Sequence, residues 1–480
     1  MTLLIVLCKI TLTLLIPNEV LAVDFYRNAE EYLENWRKSP YRKPLVLRGA
    51  RQTGKTTLIK KYGESFDCFI YLNLETERDR HLFENELPVN DLIQYICLEK
   101  GIRRTGTTLL FLDEIQYSAR AVMLMRYFYE DLPDLYVISA GSLLEIMMEK
   151  NKISFPVGRV EYLYLFPMTF EEFLSALGED AALEFYHQIP VPNLAHDKLS
   201  KLFRLYSFIG GMPEAVSRYV ETRDLSQIST VYANLLTAYK DDVSKYASSA
   251  HEGDVIRHVI ETAPKESGNR IAFEKFGNSG YRSLDVGNSM RKLERAMLLY
   301  LRYPITQTEL PLYPDKKLRP RLQVLDSGLI NYSLGIQAMY FQETQLTDIY
   351  RGTLAEQMVW QELVAQNRNE LIIPTFWVRE KKQSNAEVDF IYPWQGRLIP
   401  VEVKSGKDGT LRSLHQFLIN SPEKIAVRLY DQKYSTIETA TIASEDRPAK
   451  PYTLLNLPLY CAGKIGDYLS LANDKAVSRL

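Results

Sequence analysis

Apolar residues along the chain change rhythm three times. Between residues 44 and 142, short continuous apolar runs at 44–47, 68–75 ("CFIYLNLE"), 108–112 and 134–142 ("DLYVISAGS") alternate with stretches of helical character. This is the βαβ rhythm of a parallel sheet covered on both faces. From Thr169 to Ala247 apolar positions recur at helical spacing, as in "LSKLFRLYSFIGG" and "VYANLLTAYKDDVSKY", which predicts a helical subdomain. Next, "HEGDVIRHVIETAP", "IAFEKFGN" and "SLDVGNSMRKLERAMLLYLRYPI" predict three helices broken at Pro264 and near Gly277, followed by a strand leading into "LPLYPDKKLRPRLQVLD". Three helices and a hairpin outline a winged helix, or a plain helical packing module. In the winged-helix reading "NSMRKLERAMLL" is the second helix of a helix-turn-helix, with Arg291, Lys292 and Arg295 on or near its outer face, and Lys316, Lys317, Arg319 and Arg321 reach phosphates from the wing or solvate an edge.

The last part of the chain returns to strands. "RGTLAEQMVWQELVAQ" is an amphipathic helix with Leu354, Met358 and Val359 or Leu363 toward a core, and Glu356 between them. "EVDFIYPWQGRLIPVEVKSG" (387–406) reads as two strands turning at Gln395 and Gly396, with Glu402 and Lys404 on one face and Val401 and Val403 on the other. After about Ser435 come one or two strands and a closing helix without recognisable chemistry.

The chemistry is concentrated at strand ends. "LVLRGARQTGKTT" fits GxxxxGK[ST] between a strand and a helix starting near Lys55. Gly49 and Gly54 allow backbone N–H groups to turn inward around phosphate oxygens, Lys55 supplies a cation for the β- and γ-phosphates, and Thr56, followed by Thr57, supplies a hydroxyl for Mg²⁺. "TLLFLDEIQ" ends a buried strand in Asp113, suited to the Mg²⁺ shell, and Glu114, suited to polarising the attacking water, so hydrolysis of ATP is expected. Ser139 or Ser142 is a γ-phosphate sensor or a strand-end cap, and Arg159 is an arginine finger, in cis or from a neighbouring subunit, or a surface ion-pair residue. In the C-terminal part, Glu356, Asp389, Glu402 and Lys404 follow the order of a PD-(D/E)xK nuclease: Asp389 and Glu402 as metal ligands, with Glu356, and Lys404 beside the developing charge. The rival reading of the same four residues is the solvated face of a sheet.

Composition adds bounds. At 480 residues and 46% hydrophobic content the chain is long enough for about three domains. Its 58 basic and 60 acidic residues nearly cancel, so a nucleic-acid footprint would have to be local. Cys8, Cys68, Cys97 and Cys461 have no CxxC or Cys/His spacing, which speaks against a zinc site or disulfide framework and for a reducing compartment. "LLIVLCKITLTLLI" (3–16) carries Lys9 and is shorter than the ~20 residues a spanning helix needs. "VLA" ending at Ala22 has the form of a signal-peptide cleavage site, but no basic residue precedes Leu3. A cytoplasmic location is expected.

The ordered set "LVLRGARQTGKTT", "LLFLDEIQ", "SAGS", "VGRVEYLYLFPMTFEEF" and "FIGGMPEAV" resembles the prokaryotic AAA-type ATPases that carry a C-terminal domain of unknown function with a restriction-endonuclease-like fold. The resemblance runs from about Phe25 to the 430s. It implies that Gly210, Gly211 and Pro213 form a turn in a helical lid near the adenine. Relatives begin near "FYRNAEEYLENWRK", so the apolar leader is a departure. The expected architecture is α/β: leader 1–23, P-loop AAA-type core 24–165 with a parallel sheet, helical lid 166–248, winged-helix-like module 249–320, nuclease-like α/β domain 321–435, and extension 436–480. ATP and Mg²⁺ are the expected cofactors, DNA and a second copy of the chain the candidate partners, and no membrane contact is expected. The leading expectation is an ATPase whose nucleotide state controls a DNA-directed nuclease-like domain. The alternative is a switch whose nuclease-fold domain binds protein or nucleic acid without cutting.

Overall fold

The computed structural model describes residues 25–152, 154–336, 348–379, 386–405, 411–442 and 448–477; the apolar leader lies outside them. Five strands, β1 (Leu45–Arg48), β2 (Cys68–Asn73), β3 (Thr108–Asp113), β4 (Leu135–Gly141) and β5 (Glu161–Tyr164), form an all-parallel sheet in the order β2-β3-β4-β1-β5. Alternating side chains divide between two cores because the strand repeat is two residues. In β3, Leu109 and Phe111 meet helices α1 (Ala29–Lys38) and α2 (Lys55–Gly63). Leu110 and Leu112 meet the opposite layer, α4 (Val89–Lys100), α5 (Ala119–Asp131) and α6 (Leu144–Asn151); the short α3 (Glu77–His81) follows β2. All six β3 residues are buried, as the continuous apolar run predicts.

A helical region follows: α7 (Phe170–Ala176), α8 (Asp180–His187), α9 (His196–Ile209), α10 (Pro213–Thr222) and α11 (Ser226–Tyr246). Beyond it come α12 (Ala250–Thr262), α13 (Ser283–Arg295) and the antiparallel pair β6 (Leu299–Arg302) and β8 (Arg321–Val324). The helix expected at "IAFEKFGN" is only a 3₁₀ turn, Phe276–Asn278, because Lys275, Gly277 and Asn278 have φ of 54°, 60° and 56°, outside the helical region. On α13, Lys292 pairs with Glu252 of α12 at 2.6 Å, so this cation is tied within the module.

The C-terminal sheet is mixed and seven-stranded, ordered β13-β14-β12-β11-β10-β9-β7. Its strands are β7 (Pro304–Ile305), β9 (Thr375–Val378), β10 (Glu387–Trp394), β11 (Arg397–Val403), β12 (Ile425–Tyr430), β13 (Ser435–Ala440) and β14 (Pro451–Pro458). Strands β9, β10 and β11 form an antiparallel meander, then β11, β12 and β14 run parallel. After α14 (Ser327–Ser333), helix α15 (Asp348–Val364) buries Met358, Val359, Trp360 and Leu363 in the core shared with Phe390, Ile399, Val401 and Val403. Helix α16 (Arg412–Ile419) covers the other face, with Phe417 against Val388, Ile391 and Leu398, and α17 (Ile465–Val477) closes the described chain. Two expected boundaries fall inside continuous structure. The break at 320/321 divides the β6–β8 pair, and the break at 435/436 divides a sheet in which β14 is an interior strand. No helix among the described residues is long and apolar enough to cross a membrane.

One apolar cluster runs from Phe170 through the helical region into the C-terminal sheet, and polar bonds cross the same border. Glu362 of α15 is fully enclosed, accepting from the Phe170 N–H at 2.9 Å and the Tyr206 hydroxyl at 3.2 Å. Burial pushes its carboxyl up from 4.5 to about 8. The folded chain therefore holds a proton that the unfolded chain releases. The stability this gives is complete below about 4.5 and is lost as pH rises toward about 8. Thermal unfolding between those values should show Glu362→Gln flattening the decline by up to about 1.4 kcal/mol per pH unit; superimposable profiles for variant and wild type would refute the assignment.

Candidate functional sites

The loop after β1 turns into α2 at Gly54, whose φ of 91° favours glycine and whose missing Cβ leaves space beside Arg27 and Pro213. Around it lies a cavity of about 570 Å³ bordered by Gly54, Lys55, Thr56, Thr57, Glu114 and Ser142, with Pro213 and Arg218 of α10 on the facing wall. Lys55 Nζ, buried, donates to the carbonyls of Gly49 (2.9 Å) and Ala50 (2.7 Å). Burial pulls its pKa down to about 8, against the opposing pull of Glu114 and Asp113. Thr56 Oγ1 donates to Asp113 Oδ2 at 2.8 Å, so a hydroxyl and a carboxylate sit together at the end of β3. These are the hard oxygen donors that suit Mg²⁺.

Glu114 follows with φ of 50°, a left-handed conformation rare for a side chain of this type. Such strain concentrates at functional positions. Burial raises its carboxyl above the ordinary range, while the Gln116 side-chain amide donates to it and limits the rise. Two sequence expectations separate from this group. Ser139 is buried in the sheet, its hydroxyl 3.4 Å from the Leu45 carbonyl. Arg159 is 41% exposed, pairs with Glu130 at 2.7 Å, and does not border the cavity.

Residues that sequence reading did not single out tie this cavity to distant elements. Arg27 donates to the P-loop carbonyl of Thr53 (2.9 Å) and to Phe166 (2.7 Å) and pairs with Glu172 (3.2 Å), the acid that closes a capping box with Thr169 at the start of α7. Arg51 pairs with Asp242 of α11. The turn at Gly210 and Gly211 rests on Asp326: the Gly211 N–H donates to Oδ1 at 2.6 Å, and the Gln361 amide of α15 reaches the same oxygen at 3.3 Å. Gly210 has φ of 86°, and any Cβ there would collide with Asp326 and Tyr232. Helix α15 thus reaches the turn preceding Pro213 by way of Gln361 and Asp326, and the start of α7 directly through Glu362.

The same helix carries Glu356 into a second cluster. Asp389 lies where β10 shifts register against β9, an irregularity of the kind that re-aims side chains. Its Oδ2 accepts the Val403 N–H at 2.9 Å. Lys404 Nζ donates to Glu402 Oε1 at 2.6 Å, while the buried Glu402 Oε2 has no hydrogen-bond partner. The carboxyls of Glu356 and Glu402 are both raised, first by burial and then by the charge of Asp389. Contrary to the solvated-edge alternative, Asp389 and Glu402 are buried. Their arrangement nevertheless does not suit a divalent ion. Among the described residues no three His, Cys, Asp or Glu side chains are grouped to hold a metal, and a guanidinium lies on the cluster. That guanidinium belongs to Arg321, expected at the wing surface but only 12% exposed, at 2.5 Å from Glu356, 2.6 Å from Glu387 and 3.4 Å from Asp389.

Comparison with known proteins divides the chain in three. Residues 41–174 match the family model of an AAA domain, residues 200–340 a domain of unknown function (DUF8612), and residues 351–445 another domain of unknown function (DUF4143). No curated protein matches the chain. Among solved structures, a Walker-type ATPase of Pyrococcus abyssi is similar at 14% identity, covering 67% of this chain and 99% of its own, with a TM-score of 0.42. The chain thus contains an AAA-type P-loop ATPase domain.

Proposed function

We propose that this P-loop ATPase hydrolyses ATP at the Lys55–Glu114 cavity and passes its nucleotide state along α15 to a C-terminal domain of nuclease-like topology directed at DNA. The observation that carries the proposal is the convergence of Lys55, Thr56 and Glu114 on one cavity, with Asp113 bonded to Thr56, and a far wall, Pro213 and Arg218, that belongs to a separate helical element. In this reading Lys55 exchanges its carbonyl partners for phosphate oxygens, Glu114 takes the proton of the attacking water, and Thr56 and Asp113 would hold a Mg²⁺, which would supply neutralisation of phosphate charge. The raised Glu114 carboxyl favours that last role, since a base nearer neutral pH is the stronger acceptor. Ser142 borders the phosphates, and Arg159 is left to act only from a neighbouring copy.

Support for the nuclease-like reading is the order α15-β9-β10-β11-α16-β12, in which Glu356 comes from the helix, Asp389 and Glu402 from two adjacent strands, and Lys404 from the residue after β11. Helices α7 to α11 serve as the lid, and α12, α13 and the β6–β8 pair as the winged-helix-like module. A second reading, in which the C-terminal domain binds DNA or protein without cutting, is favoured by the Arg321 ion pairs. Glu114→Gln should retain ATP binding and lower hydrolysis on the order of 10² to 10⁴-fold. Fluorescence titration with labelled ATP and phosphate release measure the two. Affinity of the trapped ATP state for a labelled DNA duplex should then differ from that of the ADP state. Hydrolysis at the wild-type rate would remove Glu114 as base, and equal DNA affinity in both states would remove the control.

A further inference from the structure

Arg51 stands third in the loop that opens at Gly49, and its side chain borders the nucleotide cavity together with Lys55 and Glu114. It lies within electrostatic reach of both. Its Nη1 bonds Asp242 Oδ2 of α11, and two features make that bond exchangeable. The Arg51 side chain is 39% exposed, so the guanidinium can swing without opening a core. Asp242 is buried, yet its other oxygen meets Lys245 Nζ at 3.2 Å, so the carboxylate keeps a cation when Arg51 leaves. Helix α11 holds Asp242 in place by separate means. Tyr232, Tyr239 and Asp242 share one face of the helix by their spacing. The Tyr239 hydroxyl donates to the Arg51 carbonyl at 3.3 Å, and the Tyr232 hydroxyl to Asp326 at 2.6 Å. Other cations of the cavity are placed for different tasks. Arg27 is spent on the Thr53 and Phe166 carbonyls and on Glu172, Lys61 pairs with Glu30 at 3.1 Å, and Arg218 belongs to the facing wall.

Building on the reading of this cavity as the site of ATP hydrolysis, we propose that Arg51 is a further catalytic residue, an arginine acting in cis that exchanges Asp242 for the γ-phosphate of ATP and returns to Asp242 when ADP remains. Its planar fork matches phosphate oxygens as well as it matches a carboxylate. In hydrolysis the water oxygen bonds to the γ-phosphorus, the water's proton goes to Glu114, and the bond to the bridging oxygen breaks with its electron pair staying on ADP. Arg51 donates to the γ-phosphate oxygens throughout, supplying from within the loop what Arg159, outside the cavity, does not. Asp242 is then a positioning residue that competes with the γ-phosphate for one guanidinium.

Titration of full-length chains with labelled ATP and labelled ADP, each chain carrying Glu114→Gln to keep ATP intact, tests this. Adding Arg51→Ala should weaken ATP about 10-fold or more, the loss expected of a charge-assisted bond, and leave ADP within about two-fold. Adding Asp242→Asn instead should tighten ATP relative to ADP, because the competing acceptor has lost its charge. A pair that only braces the fold would move both nucleotides alike in both variants, and that result overturns the inference. With Glu114 in place, Arg51→Ala should lower phosphate release on the order of 10³-fold and Arg51→Lys by less; release within a few-fold of wild type from Arg51→Ala overturns it. If Arg51→Ala does not fold, Asp242→Asn decides, and a preference for ATP over ADP no greater than that of Glu114→Gln alone overturns the inference. Each of these failures leaves the reading of the cavity intact as long as Lys55→Ala abolishes turnover. Wild-type turnover by Lys55→Ala would overturn both.

Discussion

Lys55→Ala should abolish measurable ATP turnover, lowering it on the order of 10² to 10³-fold, the loss expected when one preorganised donor to developing charge is removed from a water-poor site. The side chain is buried, with both its acceptors inside the loop and the Asp113–Glu114 acids opposing its loss of charge. No other Lys or Arg donates to the Gly49 and Ala50 carbonyls among the bonds of this loop, and Arg51 pairs with Asp242. The fold should tolerate the change, since alanine is the best helix former and Lys55 opens α2. A steady-state phosphate-release assay reads the outcome; activity within a few-fold of wild type would mean that turnover occurs elsewhere.

Asp326→Ala should cost the fold roughly 3–5 kcal/mol, the range for breaking a buried, multiply bonded charged group. Its carboxylate caps α14 through the Gly328 N–H at 2.9 Å, accepts the Gly211 N–H at 2.6 Å and the Tyr232 hydroxyl at 2.6 Å, and meets Gln361 at 3.3 Å. Alanine would strand two backbone N–H groups in a region without solvent, whereas Tyr232 keeps the Ile209 carbonyl at 2.7 Å. Asp326→Asn keeps an acceptor and should lose less. Urea unfolding midpoints compare the three chains, and a change under about 0.5 kcal/mol for the alanine variant would show that the network is not coupled to stability. Because the same carboxylate joins the Gly210–Gly211 turn to α15, the variant should also weaken any nucleotide dependence of the C-terminal domain.

What could be read from the sequence was what lies close together along it. Gly49, Gly54, Lys55 and Thr56 fall within eight residues, and Asp113 and Glu114 are adjacent at the end of an unbroken apolar strand, so spacing alone assembles them. Glu356, Asp389, Glu402 and Lys404 were legible as an order of residue types; Asp389 and Glu402 lie on adjacent strands of one sheet, Lys404 just past β11, and Glu356 on helix α15. Arg27, Asp326 and Arg321 were not, because each acts on residues tens to well over a hundred positions away: Arg27 on Phe166, Asp326 on Gly211, Arg321 on Asp389. Arg321 was misleading as well as silent. In "KKLRPRLQVLD" it reads as one of several surface cations, and only the partner strand β6 turns it inward. The missing helix at "IAFEKFGN" has a local cause instead, left-handed backbone at Lys275 and Asn278 that apolar periodicity does not register.

The interior position of β14 bears on how such a chain is made. Strand β12 has one neighbour, β11, that precedes it in the chain and another, β14, that follows more than twenty residues later. During synthesis β12 emerges first, with one row of amide and carbonyl groups open along an apolar strand, a template for pairing with another chain. The ATPase sheet, whose strands all lie before residue 165, can close while that edge is still bare. Completion of the C-terminal sheet therefore waits until β14 has been translated, and a ribosome that stalls between β12 and β14 would release a chain with its ATPase sheet formed and an adhesive edge on the second sheet.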